Sequence, residues 1–412
     1  GIFLTPWIVR VMAPGFIADP AKLLLTIQLT KWMFPYMILI GFTAYAMGIL
    51  FTFRSFAAPA FSPCLLNISM IVAAFLASQN MREPVLGLAW GVLVGGALQL
   101  GAQIIPLAKI GFRFTRPKSF YHPGAVKIGK LLIPRMVGSG VYQLSVLIDT
   151  FCASLASIVG PGGVSAIYYA NRILQFPMGV FIFALSTAAL PTFSEQVNRG
   201  DIPSLKKTLA FTLKNIFFIM CPMTVLLFLL SEPIIRLCFQ RGEFDVYSTT
   251  IASGALLYFS LGLFSFGGIK ILVTAFYALQ DTKTPVMVAG GCLLVNTILN
   301  FIFMVPFKIS GIALASSIAG TIDFLVLFYL LEKRLGGLNS GLLSYFLKVS
   351  LAGLSMGIAV VCLWKYVVFH NEVAKLCLIA CVSCLIYGGM CLILKIEQAQ
   401  KVLAWIWNYG KK

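Results

Sequence analysis

Apolar runs about as long as a membrane span recur roughly every thirty residues along almost the whole chain, and about 20 residues at 1.5 Å each cross the hydrocarbon of a bilayer. Twelve segments qualify: 1–13, 32–53, 61–79, 85–108, 131–157, 164–190, 208–230, 251–275, 285–306, 309–331, 342–369 and 373–395. Composition closes off the alternative. Hydrophobic residues make up 59% of the chain and charged ones only 11%, against about 25% charged in a soluble domain. A water-soluble globule could not hide that much apolar surface. The expected fold is an all-α, polytopic bundle of membrane helices.

The chain opens at Gly1 inside an apolar run, without the basic n-region of a signal peptide and with Pro6, Arg10 and Pro14 interrupting it. The expectation is that helices preceding it are missing. Charge then gives orientation. Alternate connections carry Arg54; Lys109, Arg113, Arg116, Lys118, Lys127 and Lys130; Arg199, Lys206 and Lys207; Lys283; Lys333 and Arg334; and Lys395, Lys401, Lys411 and Lys412. The intervening connections hold fewer, namely Lys22, Lys31, Arg82, Arg236, Arg241, Lys308 and Lys375. The positive-inside bias makes the first set and the C-terminus cytoplasmic. The net charge of +18 is thereby explained by topology and by anionic leaflet lipids, and nucleic acid is not an expected partner.

Metal and redox chemistry finds little support. Cys377, Cys381 and Cys384 stand at i, i+4, i+7, which reads as one packed stripe, and neither His122 nor His370 has a partner in sequence. A short repeat is also visible. Ile49-Leu50-Phe51-Thr52 precedes Pro59 and Cys64-Leu65-Leu66-Asn67, as Ile271-Leu272-Val273-Thr274 precedes Pro285 and Cys292-Leu293-Leu294-Val295-Asn296. Two homologous halves around a cavity would produce such a pattern, although matches this short arise readily in apolar sequence.

Chemistry must then lie with polar residues on the spans, because ionisable groups in hydrocarbon are costly and face protein or water. Asp149, Arg172, Lys270 and Asp323 are the clearest. Arg172, in Tyr168-Tyr169-Ala170-Asn171-Arg172-Ile173-Leu174-Gln175-Phe176-Pro177, has no acidic residue within one turn. Its guanidinium suits a phosphate or carboxylate in a bidentate fork, the competing reading being a salt bridge to Asp149. Asn296 and Asn300 share a helix face, with Ser316 on the following helix and Asp149 available from a third. That set is either a hard-oxygen site for Na⁺ or interhelical hydrogen bonding, and spacing alone favours the latter.

Several motifs together carry a family resemblance. Arg54-Ser55-Phe56-Ala57-Ala58-Pro59-Ala60-Phe61, Leu66-Asn67-Ile68-Ser69-Met70, Tyr168 to Pro177, Phe239-Gln240-Arg241-Gly242-Glu243-Phe244 and Asp281-Thr282-Lys283-Thr284-Pro285-Val286 resemble, in order and spacing, those of the MurJ lipid II flippases of the multidrug, oligosaccharidyl-lipid and polysaccharide exporter superfamily. The resemblance implies fourteen helices in two pseudo-symmetric lobes around a central cavity plus two C-terminal helices. Residues 1–108 would be the rest of the N-terminal lobe, 131–331 the C-terminal lobe, 342–395 the two additional helices and 396–412 a cytoplasmic tail.

It further implies a transporter and not an enzyme, set in the bacterial cytoplasmic membrane. Lipid II would pass from the inner to the outer leaflet by alternating access, driven by an ion or the membrane potential. Partners would be lipid II, membrane lipids and proteins of cell-wall synthesis or division. Arg172, Ser165, Asn171 and Lys270 would contact substrate. Asp149, Asn296, Asn300, Ser316 and the Ile312 carbonyl resemble a site that holds Na⁺ in some members, and no cofactor is otherwise expected. Asn171 and Gln175 stand where family members often carry acidic residues. The alternative is export of another lipid-linked glycan, or multidrug and cation antiport within the same superfamily. An intramembrane enzyme would need clustered metal ligands or a nucleophile with its base, and the spans offer neither.

Overall fold

The computed structural model describes residues 1–53, 55–81, 83–112, 123–338, 341–369 and 371–409. Arg54, Arg82, Arg113, Arg116, Lys118, His122, His370, Lys411 and Lys412 lie outside them. Among the described residues the regular structure is helical throughout. The chain divides into two compact units, Gly1–Gly129 and Lys130–Lys412.

The first unit contains α1 (Thr5–Met12), α2 (Pro20–Met33), α3 (Tyr36–Thr52), α4 (Ala57–Asn80) and α5 (Pro84–Lys109). Helix α6 (Pro123–Ser154) leads into the second unit, which continues with α7 (Ala156–Val159), α8 (Gly163–Pro177), α9 (Ala184–Asn198), α10 (Ile202–Leu229) and α11 (Ser231–Phe239). It is completed by α12 (Val246–Leu261), α13 (Leu263–Ala278), α14 (Lys283–Leu335), α15 (Leu342–Tyr366), α16 (Glu372–Ile393) and α17 (Glu397–Tyr409).

Helix starts follow local chemistry. Asp19, Asp201, Asp245 and Asn371 each accept a backbone N–H from the first turn of α2, α10, α12 and α16, and Pro20 stands at the first turn of α2. At the other end of α14, Gly336 takes φ 70, a left-handed stop that suits a residue without Cβ.

Among the described residues eight helical runs are long and apolar enough to cross a membrane, and α12 with α13, bent by 47°, adds a ninth if counted as one span. The bend falls at Gly262, inside the expected 251–275 segment. Helix α14 covers both expected spans, 285–306 and 309–331. It breaks at Lys308 (φ 53, ψ −131), just past Pro306, into two arms. The α8–α9 run carries a π-helical stretch, Met178–Phe183, immediately after Pro177.

The span helices are apolar on both faces. In α15, Leu342, Tyr345, Val349, Ala352, Met356 and Val360 are buried, while Leu343, Leu347, Leu354 and Ile358 on the other side are exposed. Such all-round hydrophobicity belongs in lipid. It also corrects one expectation: Cys377, Cys381 and Cys384 do share a face of α16, but that face is exposed rather than packed. A period of 3.6 says which residues lie together, and where both faces are apolar it does not say which one turns inward.

Two helix ends close alike. The Ser55 N–H donates to the Leu50 carbonyl and the Asp281 N–H to the Phe276 carbonyl, each at 2.9 Å and each four residues ahead of a proline, Pro59 and Pro285. The Ile-Leu-X-Thr match seen in sequence is about one helical turn out of register with this pairing.

Candidate ion and anion sites

Asp149 lies on α6, one turn before the helix ends at Ser154. Asn296 and Asn300 come from the first arm of α14 and Ser316 from the second. The hairpin at Lys308 lays the arms side by side, and Gly311 makes the approach possible: a Cβ there would sit 2.1 Å from the Phe303 carbonyl oxygen. Gly163, at the start of α8, is as tightly placed against the Ala153 carbonyl of α6 and Ile309 of the second arm.

Within this frame the four side chains close a ring. Asn300 Nδ2 donates to Asp149 Oδ1 (2.7 Å) and to Asn296 Oδ1 (2.8 Å). Asn296 Nδ2 donates to Ser316 Oγ (3.2 Å), and the Ser316 hydroxyl donates to Asp149 Oδ2 (3.2 Å). Asn296 and Asn300 are buried, Asn300 completely. Ile312, fully buried, stands one turn before Ser316 on the same arm.

The donor set suits a small hard cation. It offers one carboxylate, two amide oxygens and a hydroxyl, with no thiolate or imidazole. Asn300 Oδ1 is buried and has no hydrogen-bond donor, so one acceptor is left over, as a cation ligand would require.

Arg172 is built on different terms. Gly163, Ala166, Ala170, Leu174 and Pro177 form the buried face of α8, whereas Ser165, Tyr168, Arg172 and Gln175 line its exposed face. Arg172 Nη2 donates to the Tyr168 hydroxyl (2.8 Å) and Nη1 to Gln175 Oε1 (3.4 Å), and the guanidinium lies 4.8 Å from the Tyr168 ring centre. Both partners are neutral. Among the described residues the ion pairs are Arg199–Glu195, Arg236–Glu372, Arg334–Asp281 and Lys401–Glu397, so the competing salt bridge between Arg172 and Asp149 is not formed. Asn171 is half-buried beside Arg172. Lys270 projects from the exposed side of α13, its Nζ 5.3 Å from the Phe183 ring centre in the π-helical stretch. Asp323, on the second arm of α14, keeps one buried carboxylate oxygen without a hydrogen-bond partner.

Three contributors are not marked as site residues by the sequence pattern. Tyr168 holds Arg172 from one turn earlier, at an i, i+4 spacing that is itself visible in the sequence. Gly311 and the φ 53 of Lys308 shape the hairpin, whereas the sequence marks only a gap between two spans at Pro306-Phe307-Lys308.

A family model described as "Lipid II flippase MurJ" matches residues 1–383. The lipid II flippase MurJ of Burkholderia cenocepacia is 35% identical over 338 residues, covering 81% of this chain and 65% of the relative. The probable lipid II flippase MurJ of Buchnera aphidicola subsp. Acyrthosiphon pisum is 32% identical over 383 residues, covering 91% of this chain and 74% of the relative. Among solved structures, an inward closed conformation of lipid II flippase MurJ superposes with a TM-score of 0.80 at 27% identity, covering 95% of this chain and 79% of that one. An inward-facing multidrug resistance MATE family transporter shares the fold at a TM-score of 0.69 and 16% identity, covering 82% of this chain and 78% of its own.

Proposed function

The chain belongs to the lipid II flippase MurJ family, and from that membership we propose that it carries lipid II from the inner to the outer leaflet of the bacterial cytoplasmic membrane. The observation that carries the reading is Arg172: an arginine on a membrane-spanning run, on an exposed helix face, whose partners are a phenol and an amide. Its charge remains available for an anion. A pyrophosphate offers the paired oxygens that a guanidinium fork takes up, with Ser165 and Asn171 as neutral donors nearby and Lys270 as a second cation. No bond is made or broken. The head group would be handed across by exchange between inward and outward states while the polyprenyl chain stays in lipid. The lysine and arginine distribution supports a cytoplasmic C-terminus.

The Asp149 ring supports a second element of the same reading. Na⁺ held by Asp149, Asn296, Asn300, Ser316 and the Ile312 carbonyl would supply a positive charge opposite the carboxylate. Such binding biases the inward–outward equilibrium only as far as the two states differ in affinity.

The test is translocation of lipid II by protein reconstituted in vesicles. Arg172→Ala is expected to abolish it with insertion intact, and Arg172→Lys to restore it in part, because a point charge replaces the fork. Translocation by Arg172→Ala at the wild-type rate would overturn the assignment. For the ion, a distance probe on the second unit and its counterpart in the first, read with and without sodium, should respond in wild type and not in Asp149→Asn. Identical responses would return the ring to plain interhelical hydrogen bonding.

A further inference from the structure

Helix α17 leaves α16 after a tight turn in which Lys395 takes φ 55. Ile396 and Ala399 are buried in one apolar cluster with Tyr345 and Val349 of α15 and Tyr387 and Cys391 of α16, so the helix is pinned at its start against the ends of two spans. Beyond that anchor it turns apolar residues outward. Val402 and Leu403 are each about half exposed, at 50% and 51%, and the sequence of the same helix runs on through Trp405, Ile406, Trp407 and Tyr409. Apolar and aromatic residues carried just past a span, with Lys401 on the same helix, suit a helix lying in the membrane interface.

A group of lysines gathers beside it. Lys401 Nζ bonds the Glu397 carboxylate at 2.6 Å and lies 4.7 Å from the ring centre of Phe211 on α10. Lys214 of α10 places its Nζ 5.5 Å from the Tyr345 ring centre, and the Tyr345 hydroxyl donates to the Lys214 carbonyl. The Glu397 carboxyl is held below its usual range, first by the hydrogen bond from Lys401 and further by the charges of Lys401, Lys214 and Lys207, against a smaller opposing effect of burial. Lys207, Phe211 and Lys214 stand at i, i+4 and i+7 on α10, so both lysines share the face whose Phe211 ring meets Lys401. Glu397 is the only acidic residue of α17, and α10 and α15 have none. The junction keeps an excess of positive charge at the foot of an apolar surface.

We propose that the junction of α10 and α17 is a binding site for an acidic glycerophospholipid. Lys207, Lys214 and Lys401 take the headgroup phosphate, and Val402 and Leu403 sit against the upper acyl chains. Charge decides the lipid class, since a zwitterionic headgroup brings its own ammonium to a site already crowded with them. The proposal does not rest on lipid II as substrate, and its test needs no transport measurement.

The experiment is native mass spectrometry of the whole chain in detergent with equimolar phosphatidylglycerol and phosphatidylcholine. Phosphatidylglycerol should be retained in preference, and Lys207→Gln and Lys401→Gln should each lower its retention about fivefold. Glu397→Gln should raise it, a direction that damage to the fold would not produce. Lys375→Gln, at the opposite end of α16, should leave it unchanged. Equal retention of the two lipids, indifference to both lysine substitutions, or displacement by millimolar inorganic phosphate but not by chloride of equal ionic strength would overturn the proposal.

Discussion

The Asp149 ring and the Arg172 face belong to the same unit and interrupt the same kind of apolar helix, yet they handle charge in opposite ways. Asp149 meets donors from two arms of another helix, each bonded in turn to a neighbour, in a ring whose asparagines are buried. Arg172 meets two side chains of its own helix, one turn to either side, on an exposed face. A network drawn from separate helices ties the fold together as well as offering a site. A contact within one helix holds a side chain in position and ties nothing else. The first should therefore answer to stability and ion measurements, and the second to transport alone.

The sharpest way to break that contrast is Arg172→Ala. Translocation is expected to be lost, while thermal unfolding in detergent shifts by less than about 0.5 kcal/mol, as for an exposed substitution. A large loss of stability would mean that Arg172 has a structural role that its local contacts do not reveal.

Asn300→Leu probes the other side. It removes donors to both Asp149 and Asn296 and leaves two oxygens unpaired, for an expected cost of about 1 to 2 kcal/mol by the scale of hydrogen bonds between membrane helices. Asp149→Asn, which keeps the shape, should cost less. If Asn300→Leu unfolds at the wild-type temperature, the ring carries no structural load.

A gain is expected at the hairpin that brings the ring together. Lys308 occupies a backbone conformation that glycine adopts more readily, and Lys308→Gly should raise stability by about 1 kcal/mol in the same assay. No gain would mean that the surrounding arms compensate the strain fully.

These sites are unevenly legible in the sequence, for physical reasons. Asn296, Asn300 and Ser316 were legible because amides four apart share a helix face whatever surrounds them. Asp149 could be joined to them only by chemistry, since no periodicity links residues so far apart in the chain. Tyr168 is not legible from charge as the partner of Arg172, because a guanidinium demands acceptors and a neutral phenol one turn away supplies one. The long apolar helices were plain from composition, whereas the inward side of α16 was not, lipid being as apolar as the core. The break at Lys308 was expected as a gap between two spans, but its close packing over Gly311 depends on a backbone approach that no pattern of side chains encodes.

The smallest expected effect lies outside the membrane, where a motif read as a family marker proves to have a structural task. Asp281 sits between α13 and α14 and accepts the Thr284 N–H (3.0 Å) and hydroxyl (2.8 Å), together with a hydrogen-bonded ion pair from Arg334 near the far end of α14. Partial burial is the largest single influence on its carboxyl and pushes upward. The Thr284 bonds and the Arg334 charge together outweigh it, and the carboxyl ends below its usual range. Because the folded value is the lowered one, the stabilisation is complete above the ordinary aspartate range near about 4 and fades as pH falls through the folded value. With Arg334 well exposed, Asp281→Asn should cost no more than about 1 kcal/mol at neutral pH. Unfolding of wild type and Asp281→Asn, compared from pH 7 down to pH 3, should converge at the acid end. Curves that stay parallel throughout would show that the pair contributes nothing through its charge.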